Sequence, residues 1–268
     1  MRYARFLAPI LFLLFPMFSI AEESSLQKPT TAPKKMLPQE IIQKADETLN
    51  ATPTMTASLT MRIFDASGKE ITRVSEIKRK RISNLENFLI RFTQPTNIEG
   101  VTLLVNELKE GETKQCIFYP ELGRCRQIAT ASRNQKFMSS DFTYEDMSGF
   151  NTQGAHKLLR TENLDGTECY VIESIPKEAK TYQRAVSWIR KDLLLPVQVL
   201  FYQDSNDATK KLLFQHVIEA GTLSFPTEWT MEDMQNKTKT LLSYGNLNFR
   251  AEISDHLFTA GSVEQGIR

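Results

Sequence analysis

Between Thr54 and Ile63 polar and apolar residues alternate without a break. Met55, Ala57, Leu59, Met61 and Ile63 stand against Thr54, Thr56, Ser58, Thr60 and Arg62. A period of two places one set on each face of a strand. Strand-like runs follow at about 70–82, 86–94, 100–108, 113–119 and 123–129, then at 155–164, 167–174, 182–190, 196–204, 208–220, 226–235 and 237–249. Turn residues separate them, including Asp65-Ala66-Ser67-Gly68 and Leu164-Asp165-Gly166. The connections are mostly too short for helical crossovers, so the pairing should be antiparallel and sequential. Two stretches depart from this rhythm. After Pro38, Ile41, Ile42, Ala45 and Leu49 recur at helical spacing, and Asn50 and Pro53 should close the helix. Residues 130–152 carry no strand period; Ser140 or Asp141 could cap a short helix bearing Phe142, Tyr144 and Met147.

The pattern therefore predicts a mainly β fold with few helices, and areas sharpen the picture. A sheet of this extent presents on the order of 1,300 Å² per face. A helix the length of 38–49 covers roughly 200 Å². Helices alone cannot cover the apolar face. Either the sheet curls and fills its own interior, or it encloses an apolar cavity under partial lids. The strand pattern leaves both open.

The N-terminus belongs to a different class. Arg2 and Arg5 precede the apolar run Phe6 to Ile20, and Ser19-Ile20-Ala21 forms a small-x-small site before Glu22 and Glu23. This is a secretory signal layout, with cleavage expected after Ala21. As a helix the run would span about 22 Å, short of roughly 30 Å of hydrocarbon. Residues 22–37 are rich in Ser, Thr, Pro and Lys and read as a flexible leader. A single domain then runs from 38 to 268. No later run reaches the length of a spanning helix. Overall, 33 Lys and Arg balance 32 Asp and Glu, a formal +1 that becomes −1 once Arg2 and Arg5 leave with the signal segment. Such a balance gives no pull toward nucleic acid.

Candidate chemistry is sparse. His156, His216 and His256 lie on separate elements, without metal-ligand spacing. Nucleophile-elbow, P-loop and dinucleotide motifs are absent, nothing marks Cys169 as an activated thiol, and neither enzymatic activity nor a cofactor is expected. Asp141, Glu145 and Asp146 could bind a metal, but Asp141 and Glu145 would share one helix face, and a capping role is the simpler reading. The basic run Lys78-Arg79-Lys80-Arg81 alternates between faces and reads as a solvated edge. Cys116 and Cys125 flank a hairpin turn at Pro120–Gly123. If Tyr119 pairs with Arg124, the two lie diagonally on one face; a two-residue shift would set them opposite. Whether they are joined stays open.

The segments IRFTQPTNIEGVTLL (within 89–104), IFYPELGRCRQI (117–128), FMSSDFTYEDM (137–147), WIRKDLLLPVQVLFY (188–202), EWTMEDMQNKTKTLLSY (228–244) and DHLFTAGSVEQ (255–265) appear in an order that resembles the LolA-like outer-membrane lipoprotein-sorting family. The resemblance spans the chain from about residue 38. The Ser140-Asp141-Phe142 phrase carries it most specifically; the family often has glycine where Ser139 stands, which argues against a left-handed backbone there. The resemblance implies a strongly curved, incompletely closed antiparallel half-barrel with a helical lid, and an apolar cavity rather than a filled interior. It implies a monomeric periplasmic carrier for a lipid or lipoprotein acyl chain. A periplasmic accessory or sensor subunit docking on an inner-membrane RND-type exporter or an envelope signalling protein is the alternative. The residues expected to line the cavity are Leu59, Met61, Ile63, Phe92, Leu103, Phe118, Phe137, Met138, Phe142 and Met147.

Overall fold

The computed structural model describes residues 36–149, 153–178, 181–204, 206–221 and 223–266. The expected signal peptide, and the leader up to residue 35, lie outside the described residues. Helix α1 (Pro38–Leu49) comes first, with Pro at its first turn and Asn50 at its C-cap. Its Leu37 amide donates to Glu40 Oε2 at 2.8 Å, which satisfies one of the helix's free N-terminal donors.

Then come β1 (Thr54–Phe64), β2 (Glu70–Ile82), β3 (Leu85–Gln94), β4 (Thr102–Glu107), β5 (Thr113–Tyr119) and β6 (Arg124–Gln127). After the non-strand stretch follow β7 (Gly154–Leu164), β8 (Thr167–Pro176), β9 (Arg184–Arg190), β10 (Pro196–Tyr202), β11 (Lys210–Ala220), β12 (Leu223–Asp233) and β13 (Thr238–Asn248). A short α2 (Ala260–Glu264) ends the described chain.

All thirteen strands form one antiparallel sheet in the order 6-5-4-3-2-1-13-12-11-10-9-8-7. Sequential hairpins build each half, as the short connections require. The halves are joined where β1 pairs with β13, Leu59 opposite Tyr244 and Met61 opposite Leu242. The sheet does not close, because β6 and β7 end it. It is an open, curved half-barrel, in agreement with the expected fold class. β1 buries every second residue: Met55, Ala57, Leu59, Met61 and Ile63 are all buried. Met55, Leu59, Met61 and Ile63 join Ile77, Ile90, Phe92 and Leu103 from one half with Val199, Leu212, Met231 and Leu242 from the other in one concave core. The opposite face carries separate clusters. Leu89, Leu104, Cys116 and Phe118 pack under Ile253, Phe258 and Val263 of the C-terminal segment.

Topology gives the non-strand stretch its role. The chain leaves the sheet at one edge strand, β6, and re-enters at the other, β7. The segment from residue 128 onward must therefore cross between the edges, and Phe137, Phe142 and Tyr144 enter the concave core from it. Among its described residues this strap contains no α-helix. Short 3-10 turns occupy Thr130–Ser132, Phe137–Ser139 and Asp146–Ser148, and Asp141 caps nothing. The expected helix with Asp141 and Glu145 on one face is thus corrected. A second correction concerns Ser139, whose φ is 61°, next to Met138 at 48°. The left-handed backbone survives without glycine because Ser140 Oγ donates to the Phe137 carbonyl at 2.7 Å and its amide to the same oxygen at 2.9 Å, which fixes the turn.

The basic run is also corrected. β2 lies between β1 and β3, inside the sheet, so it is no edge. Alternation does split the run: Arg79 faces the concave side, and Lys80 pairs with Asp255 at 2.6 Å on the other. Tyr119 pairs with Arg124, which sets the cysteines diagonally, and a Cys116–Cys125 disulfide closes this register with Cα atoms 5.6 Å apart. The bridge spans a sequence separation of 9. Ring closure of that size stabilises by about 2.5 kcal/mol. It ties the shortest edge strand to its neighbour.

Candidate ligand-binding cavity

The concave face is not fully packed. A cavity of about 300 Å³ remains between the sheet and its two covers, α1 and the strap. α1 supplies Ile42, Ala45 and Leu49, spaced to put one helix face over the opening. The strap supplies Phe142 and Met147. The floor is built from both halves: Met55, Leu59, Ile77 and Ile90 from β1–β3, and Val199, Phe201, Leu212, Met231 and Leu242 from β10–β13. Phe225, Trp229 and Tyr244 form an aromatic wall, with Phe225 and Tyr244 rings 5.3 Å apart edge to face.

Leu59, Phe142 and Met147, expected at the site from the sequence, line the cavity. Met61, Ile63, Phe92, Leu103 and Phe137 are buried in the core around it, and Met138 packs against that core from the strap. Phe118 sits on the opposite face of the sheet, beside Leu89 and Phe258. Sequence reasoning missed the α1 face and the wall from β10–β13. The signal was present in the period-two series Leu223, Phe225, Trp229 and Met231. Which half of the sheet faced which could not be read before the β1–β13 pairing was known.

The covers are anchored by buried polar groups. Asp141 is 1% exposed. Its carboxylate accepts from Thr238 Oγ1 at 2.6 Å, Thr240 Oγ1 at 2.8 Å and Lys136 Nζ at 3.0 Å. Its carbonyl accepts from Lys210 Nζ at 2.5 Å. Asp146 Oδ2 accepts from the Thr143 amide at 2.7 Å and from Tyr182 Oη at 3.1 Å, with Lys210 Nζ at 3.9 Å. Burial pushes the Asp146 carboxyl up, against the pull of Lys210. Gln115 Nε2 donates to the Tyr144 carbonyl at 2.8 Å, and Arg133 Nη1 to Thr113 Oγ1 at 3.0 Å. The strap is thus tied to β5, β11 and β13 together.

At the other cover, Arg79 Nη2 donates to the Thr52 carbonyl at 2.9 Å, while Nη1 reaches Asn50 Oδ1 and Glu86 Oε2, both at 3.2 Å. This fixes the C-terminal end of α1 to β2. Asp46 of α1 lines the cavity, and burial, then Glu86 and Glu107, raise its carboxyl from 3.8 to about 6. A raised acid favours folding while protonated. That contribution is full below about 3.8 and is lost as pH rises through about 6. Asp46→Asn is expected to remove on the order of 2–3 kcal/mol of this pH dependence. Denaturant midpoints taken across that window should flatten in the variant; an unchanged slope would remove Asp46 as its source.

Cys169 is buried away from the cavity. Burial pushes its thiol up, the opposite of what an activated nucleophile needs. Among the described residues no helix is long and apolar enough to cross a membrane.

A family model described as an uncharacterized protein matches residues 84–265. The curated proteins compared with the chain gave no match. Solved structures did. A domain described as an outer membrane lipoprotein-sorting protein, from Vibrio parahaemolyticus, superposes with a TM-score of 0.80 at 24% identity, over 85% of this chain and 98% of that one. A DUF1329 family protein from Desulfovibrio piger gives 0.79 at 26% identity, over 84% and 97%. A LolA superfamily protein from Nitrosomonas europaea gives 0.69 at 21%, over 84% and 98%. The chain belongs to the family that the model describes, and its own fold is LolA-like.

Proposed function

We propose that this protein is a periplasmic carrier that shelters the acyl chain of a lipid or lipoprotein in the cavity beneath α1 and the strap, for transfer toward the outer membrane. One observation carries the reading: an apolar space left open in the middle of a concave core whose other side chains are closely packed. Protein interiors are packed to crystal density, so an unfilled apolar space under two covers is suited to an apolar occupant. The signal layout of residues 1–21 and the fold shared with a lipoprotein-sorting domain support the same reading.

Each methylene moved from water into such a space contributes about 0.8 kcal/mol. A dozen offer roughly 10 kcal/mol, from which association and ordering costs are subtracted. Titrating the protein with a fluorescent fatty-acyl probe should give saturable one-to-one binding with an emission rise, competed by unlabelled long-chain lipid. No saturable binding would remove the carrier reading and leave docking on an exporter as the role of the fold.

A further inference from the structure

The carrier reading leaves the ligand's head group and chain number unspecified, and the cavity constrains both. An apolar cavity of about 150 Å³ accepts a benzene ring. About 300 Å³ then accommodates on the order of twelve carbons, enough for one chain and too little for two or three. The polar atoms at its margin are unevenly charged. Asp46, Glu145, Asp146 and Glu178 line it on the acidic side, Arg79 and Arg184 on the basic side. Both arginines are already held, Arg79 by Glu86 and Arg184 by Glu173 at 3.3 Å. Asp146 is taken up by Thr143, Tyr182 and Lys210. Asp46 of α1 and Glu145 of the strap form no ion pair among the described residues.

One further atom points the same way. Glu145 Oε2 is buried without any hydrogen-bond partner and its residue lines the cavity; Thr181 Oγ1, also unpaired there, can donate or accept and fits either head group. A desolvated acceptor left unpaired is costly. A donor brought in by a ligand would relieve that cost, whereas a carboxylate or phosphate would add a like charge beside it. Asp46 accepts from Asn50 Nδ2 at 3.1 Å and feels Arg81 only at a distance. Each cover therefore offers an acid outside any ion pair, above a space for one chain.

We propose that the cavity takes a single-chain amphiphile whose head group is a cationic hydrogen-bond donor, such as a primary ammonium, received by Glu145 and Asp46. This rests on the carrier reading and narrows its ligand class. Competition of the fatty-acyl probe by decylammonium and by decanoate, at pH 7.5 and below their micelle concentrations, tests it. Decylammonium should compete at least tenfold better. Glu145→Gln should cut that preference to under threefold, and Asp46→Asn, read separately, should lower it in the same direction. Equal competition by the two amphiphiles, or stronger competition by decanoate, would overturn the head-group assignment while leaving the carrier intact. Saturation at two or more probes per chain would overturn the single-chain assignment. Failure of the probe itself to bind would overturn both.

Discussion

Asp141→Ala is expected to destabilise the protein by about 3–5 kcal/mol, as removal of one partner from a buried charged network does. The carboxylate is almost wholly buried, and four groups converge on this residue: Thr238, Thr240, Lys136 and, through the carbonyl, Lys210. The substitution leaves two threonine hydroxyls without their acceptor and Lys136 with only Asp233, at 3.7 Å. The loss acts first on the strap, because the Asp141 amide also donates to Thr240 Oγ1 at 2.9 Å. Phe137, Phe142 and Tyr144 hang on either side of that anchor in the concave core. Chemical denaturation and hydrogen exchange together check this. The midpoint should fall, and amides of the strap should lose protection before those of β1–β3. A stability change within about 0.5 kcal/mol, the range of an ordinary surface substitution, would show that the strap is held by its apolar side chains alone.

Ala185→Trp is expected to weaken acyl-probe binding by more than about a hundredfold. Ala185 lies on β9 and lines the cavity, so an indole there grows into the empty space. Blocking about half the chain's methylenes removes on the order of 4–5 kcal/mol of burial, well over two decades in Kd. The same filling replaces a void by packed atoms, so stability should hold or rise. The Kd and the denaturation midpoint, measured on one preparation, separate loss of the cavity from loss of the fold. Unchanged probe affinity in a folded variant would place the binding elsewhere.

Much of the architecture was legible along the chain, because a sheet with one buried face writes its period directly into the residues. The alternation at 54–63 maps onto β1, and the later runs coincide with β2–β13 within a few positions. Helix α1 was marked at both ends by Pro38 and Asn50. What the sequence withheld were long-range relations. The pairing of β1 with β13 joins residues nearly at opposite ends of the described chain, and no local pattern encodes it. The burial of Arg79 depends on β2 having a neighbour on each side, so its charge misled. Asp141 looked like a helix cap because Asp before apolar residues usually is one; its partners Thr238 and Thr240 lie 97 and 99 positions away. For the site, β1 and the strap were identified at Leu59, Phe142 and Met147. The strand carrying Phe118 was placed with the right neighbours but with the wrong face inward, since Ile117 and not Phe118 enters the concave core.

The central claim is that the concave cavity holds a lipid chain in the working protein. Native mass spectrometry of the full chain, exported and purified without detergent, tests it most directly, with Ala185→Trp prepared in parallel. The account predicts a co-purifying amphiphile at one per chain, absent from the Trp variant. Wild-type protein that emerges lipid-free and takes up no added long-chain lipid would contradict it.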